Sequence, residues 1–405
     1  MGRDGGDSSP ISVAVAGGRM IALPGMAQIW SIFPEARMVG GAVRDLLAGR
    51  EVADVDFAVP LPPEAVMARA KAAWLRFVPT GLAHGTVTLL AAGRGFEMTS
   101  LRQDVETDGR HARVEFTANW QADAARRDFT INAMSCDQDG RIFDYFDGKA
   151  DLAVGMIRFV GPARQRIAED YLRVLRFFRF FARYGQGQAD AEAVAAIMAA
   201  RDGLSGLSPE RVWSEVKKIL EVPAPLASIW LMQETSVLES ILPGAVPDRL
   251  AALLARGAPV DPLLRLAALT NEDLAKRLRL SAAQARRLAG LRTPFSLSPD
   301  DDEARLNRAL ADRPREILIG QSWLHGGDDA GWADLRARLE VLKVPVFPLL
   351  GRDLAAMGIP AGPEMGEVLA SIRQWWWEGG CLAGKAACLA RVERAGVVTG
   401  RATPD

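Results

Sequence analysis

MVGGAVRDLLAGREVADVDFAVP, residues 38–60, opens on the end of an apolar strand and turns at Gly40-Gly41 into a helix-like segment that stops at Gly49. Two glycines at a strand-to-helix junction let the backbone approach a ligand closely. A helix start there favours an anion such as phosphate, although a plain loop is the alternative. Downstream, Asp54 and Asp56 flank Val55 and lead into Phe57-Ala58-Val59. As a strand, 54–59 places both carboxylates on one face, because side chains alternate with a period of two. Two adjacent carboxylates are costly through repulsion and desolvation. A divalent cation removes both costs, and hard oxygen ligands with open positions describe a Mg²⁺ site of the phosphoryl-transfer kind. A solvated turn before a strand is the alternative. Glu97, in GFEMTSLR on a neighbouring strand, is a candidate third carboxylate or a member of a structural ion pair.

Around this segment, further strands are expected at 36–40, 86–91, 95–100, 131–136 and 141–145, mixed with helices. Beyond residue 165 the pattern is almost wholly helical, broken by Pro and Gly near 203–209, 243–247, 258–262, 294–299 and 360–363. The expected class is α+β: a small mixed-sheet head over 26–152, a helical neck over 153–222 and a helical body over 223–405, preceded by a loose tail at 1–25. No repeat of fixed period is apparent.

Composition sets limits. The 405 residues are 49% hydrophobic and 24% charged, which argues against wholesale disorder. No run of about 18 apolar residues suggests a membrane span, and MGRDGGDSSP lacks the basic head and apolar core of a secretory signal. Three cysteines without CxxC spacing and three histidines leave carboxylates as the expected metal ligands, in a reducing, cytoplasmic setting. The net charge of −1 speaks against a nucleic-acid partner only in the aggregate. Between Arg158 and Arg183 stand seven arginines and two acids, a local +5. So concentrated a basic segment, with few acidic partners nearby, favours a bound polyanion over a merely solvated helix face.

GGAVRD followed by DVD resembles the head of class II nucleotidyltransferases of the polymerase-β superfamily, the family of tRNA CCA-adding enzymes and bacterial poly(A) polymerases. Later segments resemble further motifs in the same order: HGTVTL (84–89), FEMTSLR (96–102), ARRDFTINAMS (125–135), FDYFDGKADL (143–152), IAEDYLRVLRFFRF (167–180) and SPERVWSEVKKIL (208–220). The resemblance spans about 38–220. It implies Asp54 and Asp56 as ligands of Mg²⁺, two ions being expected during catalysis, with Glu97 as a weaker catalytic candidate. Gly40, Gly41 and Arg44 would hold the triphosphate. Asp128, with Arg127 and Asn132, would bind the ribose; a carboxylate accepts two hydrogen bonds from a cis-diol, but an Arg–Asp pair closing a loop is equally open on the residues alone. Asp45 suits a cap or salt bridge.

One expected helix over 168–183 presents Tyr171, Val174, Leu175, Phe178 and Phe181 as an apolar stripe. Glu169, Arg173, Arg176, Arg179 and Arg183 lie opposite, the last three as candidate RNA or phosphate contacts. The resemblance gives base reading to Glu169, Asp170 and Arg173. Cytosine and adenine both offer an exocyclic amine to a carboxylate, where uracil and guanine present a carbonyl. An Arg beside the Asp can donate to the neighbouring ring acceptor, so one pair can admit CTP and ATP without a template. The polar stretch 103–124 corresponds to the family's flexible loop.

These readings imply a template-independent enzyme that completes the 3′-CCA of tRNA from CTP and ATP. Its rivals are a poly(A) polymerase, a CC- or A-adding enzyme, and a non-catalytic RNA-binding protein. The tail VERAGVVTGRATPD (392–405) lacks the basic extension of poly(A) polymerases. HGGDD (325–329) reads as a helix break, and Trp375-Trp376-Trp377 as packing in preference to base stacking.

Overall fold

A computed structural model describes residues 23–103 and 115–394, together with the backbone of 13–15, 19–21, 104–108 and 111–114. The expected loose tail at 1–25 lies almost wholly outside the described residues, as does 395–405 of the C-terminal segment. Chain contacts divide the molecule into two compact units, Met1–Pro243 and Gly244–Asp405.

In the first unit, β1 (Val13–Val15) and β2 (Arg19–Ile21) form a separate ladder. The head follows with α1 (Met26–Ile32), β3 (Arg37–Val39), α2 (Gly41–Leu47), β4 (Asp56–Val59), α3 (Pro63–Ala72), β5 (Arg76–Gly81), β6 (Thr86–Ala91) and β7 (Arg94–Ser100). It is completed by β8 (Arg102–Asp108), β9 (His111–Phe116), α4 (Trp120–Ala125), β10 (Ser135–Cys136), β11 (Ile142–Phe143) and α5 (Gly148–Ala153). Then come α6 (Ala163–Glu169), α7 (Leu172–Tyr184), α8 (Ala191–Ala200), α9 (Pro209–Leu220), α10 (Leu226–Glu234) and α11 (Val237–Ile241).

Seven strands form one mixed sheet in the order β11-β10-β3-β4-β7-β6-β5, parallel only between β4 and β7. One face is core. Phe57, Val59, Val87, Leu89, Phe96 and Met98 are buried on it, with Trp30 of α1 edge-on to Phe57 at 5.2 Å. Each such side chain contributes about 1.5–3 kcal/mol by leaving water. On the other face, the register aligns Asp56 with Glu97, Glu97 with Thr88 and Thr88 with Val78. Asp56, Glu97 and Val78 in that row are exposed.

Several local expectations change. The strand expected at 54–59 begins at Asp56, yet Asp54 and Asp56 remain exposed around a buried Val55. The strand expected at 131–136 survives only as Ser135–Cys136, because Thr130–Asn132 closes a 3₁₀ turn in which Asn132 and Ala133 donate to Phe129 and Thr130. Strand β5 was not foreseen: Pro79 interrupts its pattern but is tolerated at the sheet edge, where a lost donor costs no ladder bond. The stretch 103–124, expected as loop, folds as the β8–β9 hairpin followed by α4, whose Asn119 cap accepts from Gln121 and Ala122. Finally, the single helix expected over 168–183 is two. Asp170 takes an extended conformation (φ −157°, ψ 107°) between α6 and α7.

Helix α7 buries more of its circumference than the expected stripe. Besides Val174, Leu175, Phe178 and Phe181, it buries Phe177 and Phe180. These join Phe129 and Phe159 in an aromatic cluster with ring centroids 4.9–6.4 Å apart. Backbone bonds from Thr130 to Arg158 and from Val160 to Asp128 fasten the same region. On its other side α7 packs on α9 and α10, and Ser228 donates to the Phe178 carbonyl at 2.8 Å.

The second unit is helical between Pro247 and Arg394. One of its cores gathers Leu297, Leu306, Leu310, Leu318, Leu335 and Leu339, and another surrounds Trp376, Ile372 and Cys388. Trp375 and Trp377 pack against the latter, in line with the packing expected for the triplet. In HGGDD, Asp329 caps the helix Ala330–Val341 by accepting from Gly331 and Trp332. All three cysteines are buried and free. Among the described residues no helix is long and apolar enough to cross a membrane.

Candidate active site

Gly40 turns the chain from β3 into α2 with φ +64°, a conformation that glycine adopts without strain. A Cβ there would also stand 3.0 Å from the Arg127 guanidinium. The turn thereby aligns the start of α2 with a cavity of about 430 Å³. Since α2 has only seven residues, its dipole is short, and most positive charge in the cavity comes from arginines. Of the fifteen residues the sequence singled out, Gly40, Gly41, Arg44, Asp56, Arg127, Asp128, Asn132, Asp170, Arg173 and Arg176 line this cavity. Asp54, Glu97, Glu169, Arg179 and Arg183 do not.

At one end stands Asp56, the one of the three proposed carboxylates that lines the cavity. Although Asp56 reaches solvent, the protein around it partly desolvates the carboxyl and pushes it above its ordinary value; Glu97 and Asp54 push it the same way, against the pull of Arg127. Such mutual repulsion is relieved by a cation, and the donor set is all oxygen. Among the described residues no three acidic, imidazole or thiol groups close into a metal cage.

A continuous polar network crosses the middle. Arg44 donates from Nη1 to Asn132 Oδ1 at 2.5 Å and from Nε and Nη2 to Asp45 Oδ1 at 3.1 Å. Its guanidinium lies 5.0 Å from the Phe180 ring centroid and 4.6 Å from that of Tyr184. The Tyr184 hydroxyl donates to Asp45, so α7 braces the carboxylate that braces Arg44. Asn132 in turn donates to Asp128 Oδ1 at 2.9 Å, which also accepts from the Phe129 amide. Arg176 donates to Asp128 Oδ2 from Nε at 2.8 Å and Nη2 at 2.5 Å. Burial alone would push the Asp128 carboxyl up, but the Arg176 guanidinium, with the Asn132 and Phe129 donors, holds it below its ordinary value. Its four acceptor positions are all engaged.

At the far end, Asp170 Oδ1 accepts from the Leu172 amide at 3.0 Å, capping α7, and Oδ2 accepts from Arg211 Nη2 at 2.6 Å. About two acceptor positions remain open on this carboxylate. Arg173 Nη1 bonds Glu169 and the Arg166 carbonyl. Its Nε and Nη2 have no partner among the described residues. Glu169 also holds Arg166, whose Nη2 donates to the carbonyls of Arg126 and Arg127 at 2.5 and 2.8 Å. Glu169 thus stands behind Arg173 and ties it to the segment carrying Asp128.

The basic run 158–183 needs correction. Four of its seven arginines find acids supplied from distant sequence: Arg158 with Asp151 and Asp190, Arg176 with Asp128, Arg179 with Glu215 at 2.7 Å and Arg183 with Asp45 at 3.9 Å. Counting along the chain could not show this. Arg211, Phe180 and Leu172 also line the cavity and were missed as site residues. Arg211 lay inside a quoted motif, but a single charge near the start of an amphipathic helix carries no signal of its target.

The comparisons agree with this geometry. Residues 36–158 match the family profile described as Poly A polymerase head domain, and 189–248 match that of the probable RNA and SrmB-binding site of polymerase A. The mitochondrial CCA tRNA nucleotidyltransferase 1 of Mus musculus is 39% identical over 372 residues, covering 85% of this chain and 83% of its own. The CCA-adding enzyme of Lactobacillus johnsonii is 31% identical over 379 residues, covering 88% and 93%. The crystal structure of the Bacillus stearothermophilus CCA-adding enzyme in complex with CTP superposes with a TM-score of 0.72 at 25% identity, covering 92% of this chain and 98% of that one. With relatives this similar over most of their length, the chain belongs to the family of CCA tRNA nucleotidyltransferases, the CCA-adding enzymes.

Proposed function

We infer that the chain completes the 3′-terminal CCA of tRNA, using CTP and ATP and no nucleic-acid template. The observation that carries this reading is one cavity joining the Asp56 carboxylate to the half-open Asp170–Arg173 pair through a row of arginines. In the reaction, the terminal RNA hydroxyl forms a bond to the α-phosphorus and pyrophosphate leaves. Mg²⁺ held by Asp54 and Asp56 would supply charge neutralisation at the phosphates and polarise the α-phosphate.

The chain's own groups divide the remaining work. Arg44, fixed by Asp45, Asn132 and two aromatic rings, presents a pre-oriented charge to the triphosphate, with the Gly40-Gly41 backbone beside it. Glu97, exposed in register with Asp56, would take the hydroxyl proton. Asp170 accepts from the amine of cytosine or adenine, and Arg173 Nε or Nη2 donates to the adjoining ring acceptor. Uracil and guanine would set a carbonyl against the Asp170 carboxylate, leaving buried polar groups unpaired. For Asp128 to accept from a ribose hydroxyl, one present donor must yield. Asn132 is the neutral side-chain donor, free to rotate away as the Phe129 backbone amide is not, and the least costly to displace.

The test is to supply the full chain and Mg²⁺ with tRNAs ending before the first C, after CC, or complete, and with each nucleotide separately and together. Addition that stops at CCA supports the reading. Unlimited A-tailing would replace it with poly(A) polymerisation, and addition that stops at CC with the partial activity.

A further inference from the structure

We propose that Tyr184 is a positioning residue for nucleotide binding: acting through Asp45, it holds the Arg44 guanidinium in the orientation that meets the triphosphate. The proposal rests on the reading of Arg44 as a triphosphate ligand given above. It adds to that site two residues that stand behind it, since neither Tyr184 nor Asp45 lines the cavity.

Arg44 and Asp45 are consecutive residues of α2, and consecutive side chains leave a helix about 100° apart. Helix geometry alone therefore does not bring the Asp45 carboxylate back onto the Arg44 guanidinium. Yet Arg44 donates to Asp45 Oδ1 from both Nε and Nη2, at 3.1 Å each. A group outside α2 must turn the carboxylate, and α7 supplies it. The Tyr184 hydroxyl donates to the same oxygen, Asp45 Oδ1. Arg183, the other α7 contact, reaches only Oδ2, at 3.9 Å and from a half-exposed side chain. Burial holds the Tyr184 phenol above its ordinary value, against the pull of Arg44, so it stays a donor wherever Asp45 is ionised.

The consequence falls on Arg44. Its side chain is only 11% exposed, and its ring neighbours, Phe180 and Tyr184, both belong to α7. Three of its five N–H groups are taken by Asp45 and Asn132. About two are left for phosphate oxygens, and the groups that hold the others decide where these two point. Arg173, Arg176, Phe180 and Tyr184 follow one another at helical spacing along one face of α7. From Arg173 to Tyr184 that face runs about 16 Å. The helix that starts beside Asp170 and carries Arg173 thus sets, at its other end, the direction of the triphosphate ligand. A fixed separation between the two grips suits a nucleotide that is read at its base and oriented at its phosphates.

Tyr184→Phe keeps the ring on Arg44 and removes only the hydroxyl. Equilibrium binding of CTP, UTP and cytidine would be measured in Mg²⁺ with the full chain as wild type, Tyr184→Phe, Arg44→Ala and the double variant. For Tyr184→Phe the Kd for CTP is expected to rise about five- to tenfold, the loss of one hydrogen bond to a charged group. Cytidine, which carries base and ribose without phosphates, should bind as before, and the ratio of CTP to UTP affinity should not move. In the Arg44→Ala background the same substitution should cost nothing further, because Tyr184 acts only through Arg44. An unchanged Kd for CTP in Tyr184→Phe, with Arg44→Ala impaired, overturns the positioning role alone. So does an equal loss for cytidine, which marks a defect of the fold, or a full additional loss in the double variant. If Arg44→Ala binds CTP as wild type does, the triphosphate reading of Arg44 falls and the positioning role with it. Binding needs no catalysis, so a chain that transfers nothing still reports both.

Discussion

Asp56 sits where function and stability oppose one another. Partial desolvation and two neighbouring carboxylates disfavour its charge, so the ionised group destabilises the metal-free fold. Asp56→Asn should then leave thermal stability in a chelator equal to or above wild type, while nucleotide transfer in Mg²⁺ falls by more than about 100-fold. Calorimetry beside a single-turnover assay checks both halves, and retained activity would remove the metal-ligand role. At the opposite end of the cavity, Asp170→Ala should erode rejection of UTP and GTP. Arg211→Ala should do so less, because it frees one oxygen that the Leu172 cap still half-orients. Competition between CTP and UTP separates selectivity from rate; a slower enzyme with unchanged preference would mean that neither residue reads the base.

The break between α6 and α7 turns a stretch of helix into a reading device. Asp170 faces the cavity because its backbone is extended, and Tyr171 beside it leaves no room at Gly203, where a Cβ would fall 1.9 Å from the tyrosine ring. Gly203→Ala should therefore destabilise the fold by about 1–3 kcal/mol, as overpacking does, and loosen base selection along with it. Denaturant titration and the CTP/UTP ratio would report the two effects. The break also marks the limit of what sequence patterning could reveal. Alternation around Val55 and the Gly40-Gly41 turn were legible because each is a local periodicity. Helical periodicity runs unbroken through 168–183, and nothing local announces that Asp170 leaves the helix. Partners were illegible for a related reason: Arg176 meets Asp128 across 48 residues, Arg211 meets Asp170 across 41, and Tyr184 meets Asp45 across 139. Only the packed fold brings these charges together, so a basic run read alone overstated its free charge.

Over the whole molecule, the net charge of −1 resolves into 27 basic and 30 acidic residues up to Pro243 and 22 basic and 20 acidic beyond it, −3 and +2. Neither unit is a polycation, so RNA must be held by local arrangements. In the second unit, Lys276, Arg277, Arg279, Arg286, Arg287 and Arg292 stand between Leu274 and Pro299 with no acid among them. Arg287 is committed to Asp261, and Arg292 to the carbonyls of Thr270 and Glu272. Lys276 and Arg286 are exposed and have no ion-pair partner among the described residues, which leaves their charge for a phosphate. Neutralising both, as Lys276→Gln with Arg286→Gln, should weaken tRNA binding and reduce the slope of log affinity against log salt by about 0.7–0.9 for each phosphate no longer neutralised. Stability should move by no more than about 0.5 kcal/mol, since both are surface positions. The KM for CTP should not move, because neither residue lines the nucleotide cavity. Titrating tRNA at several salt concentrations decides the matter: an unchanged slope would place the RNA-binding surface of this unit elsewhere, whereas a parallel loss of CTP affinity would show the substitutions acting through the fold and not through phosphate.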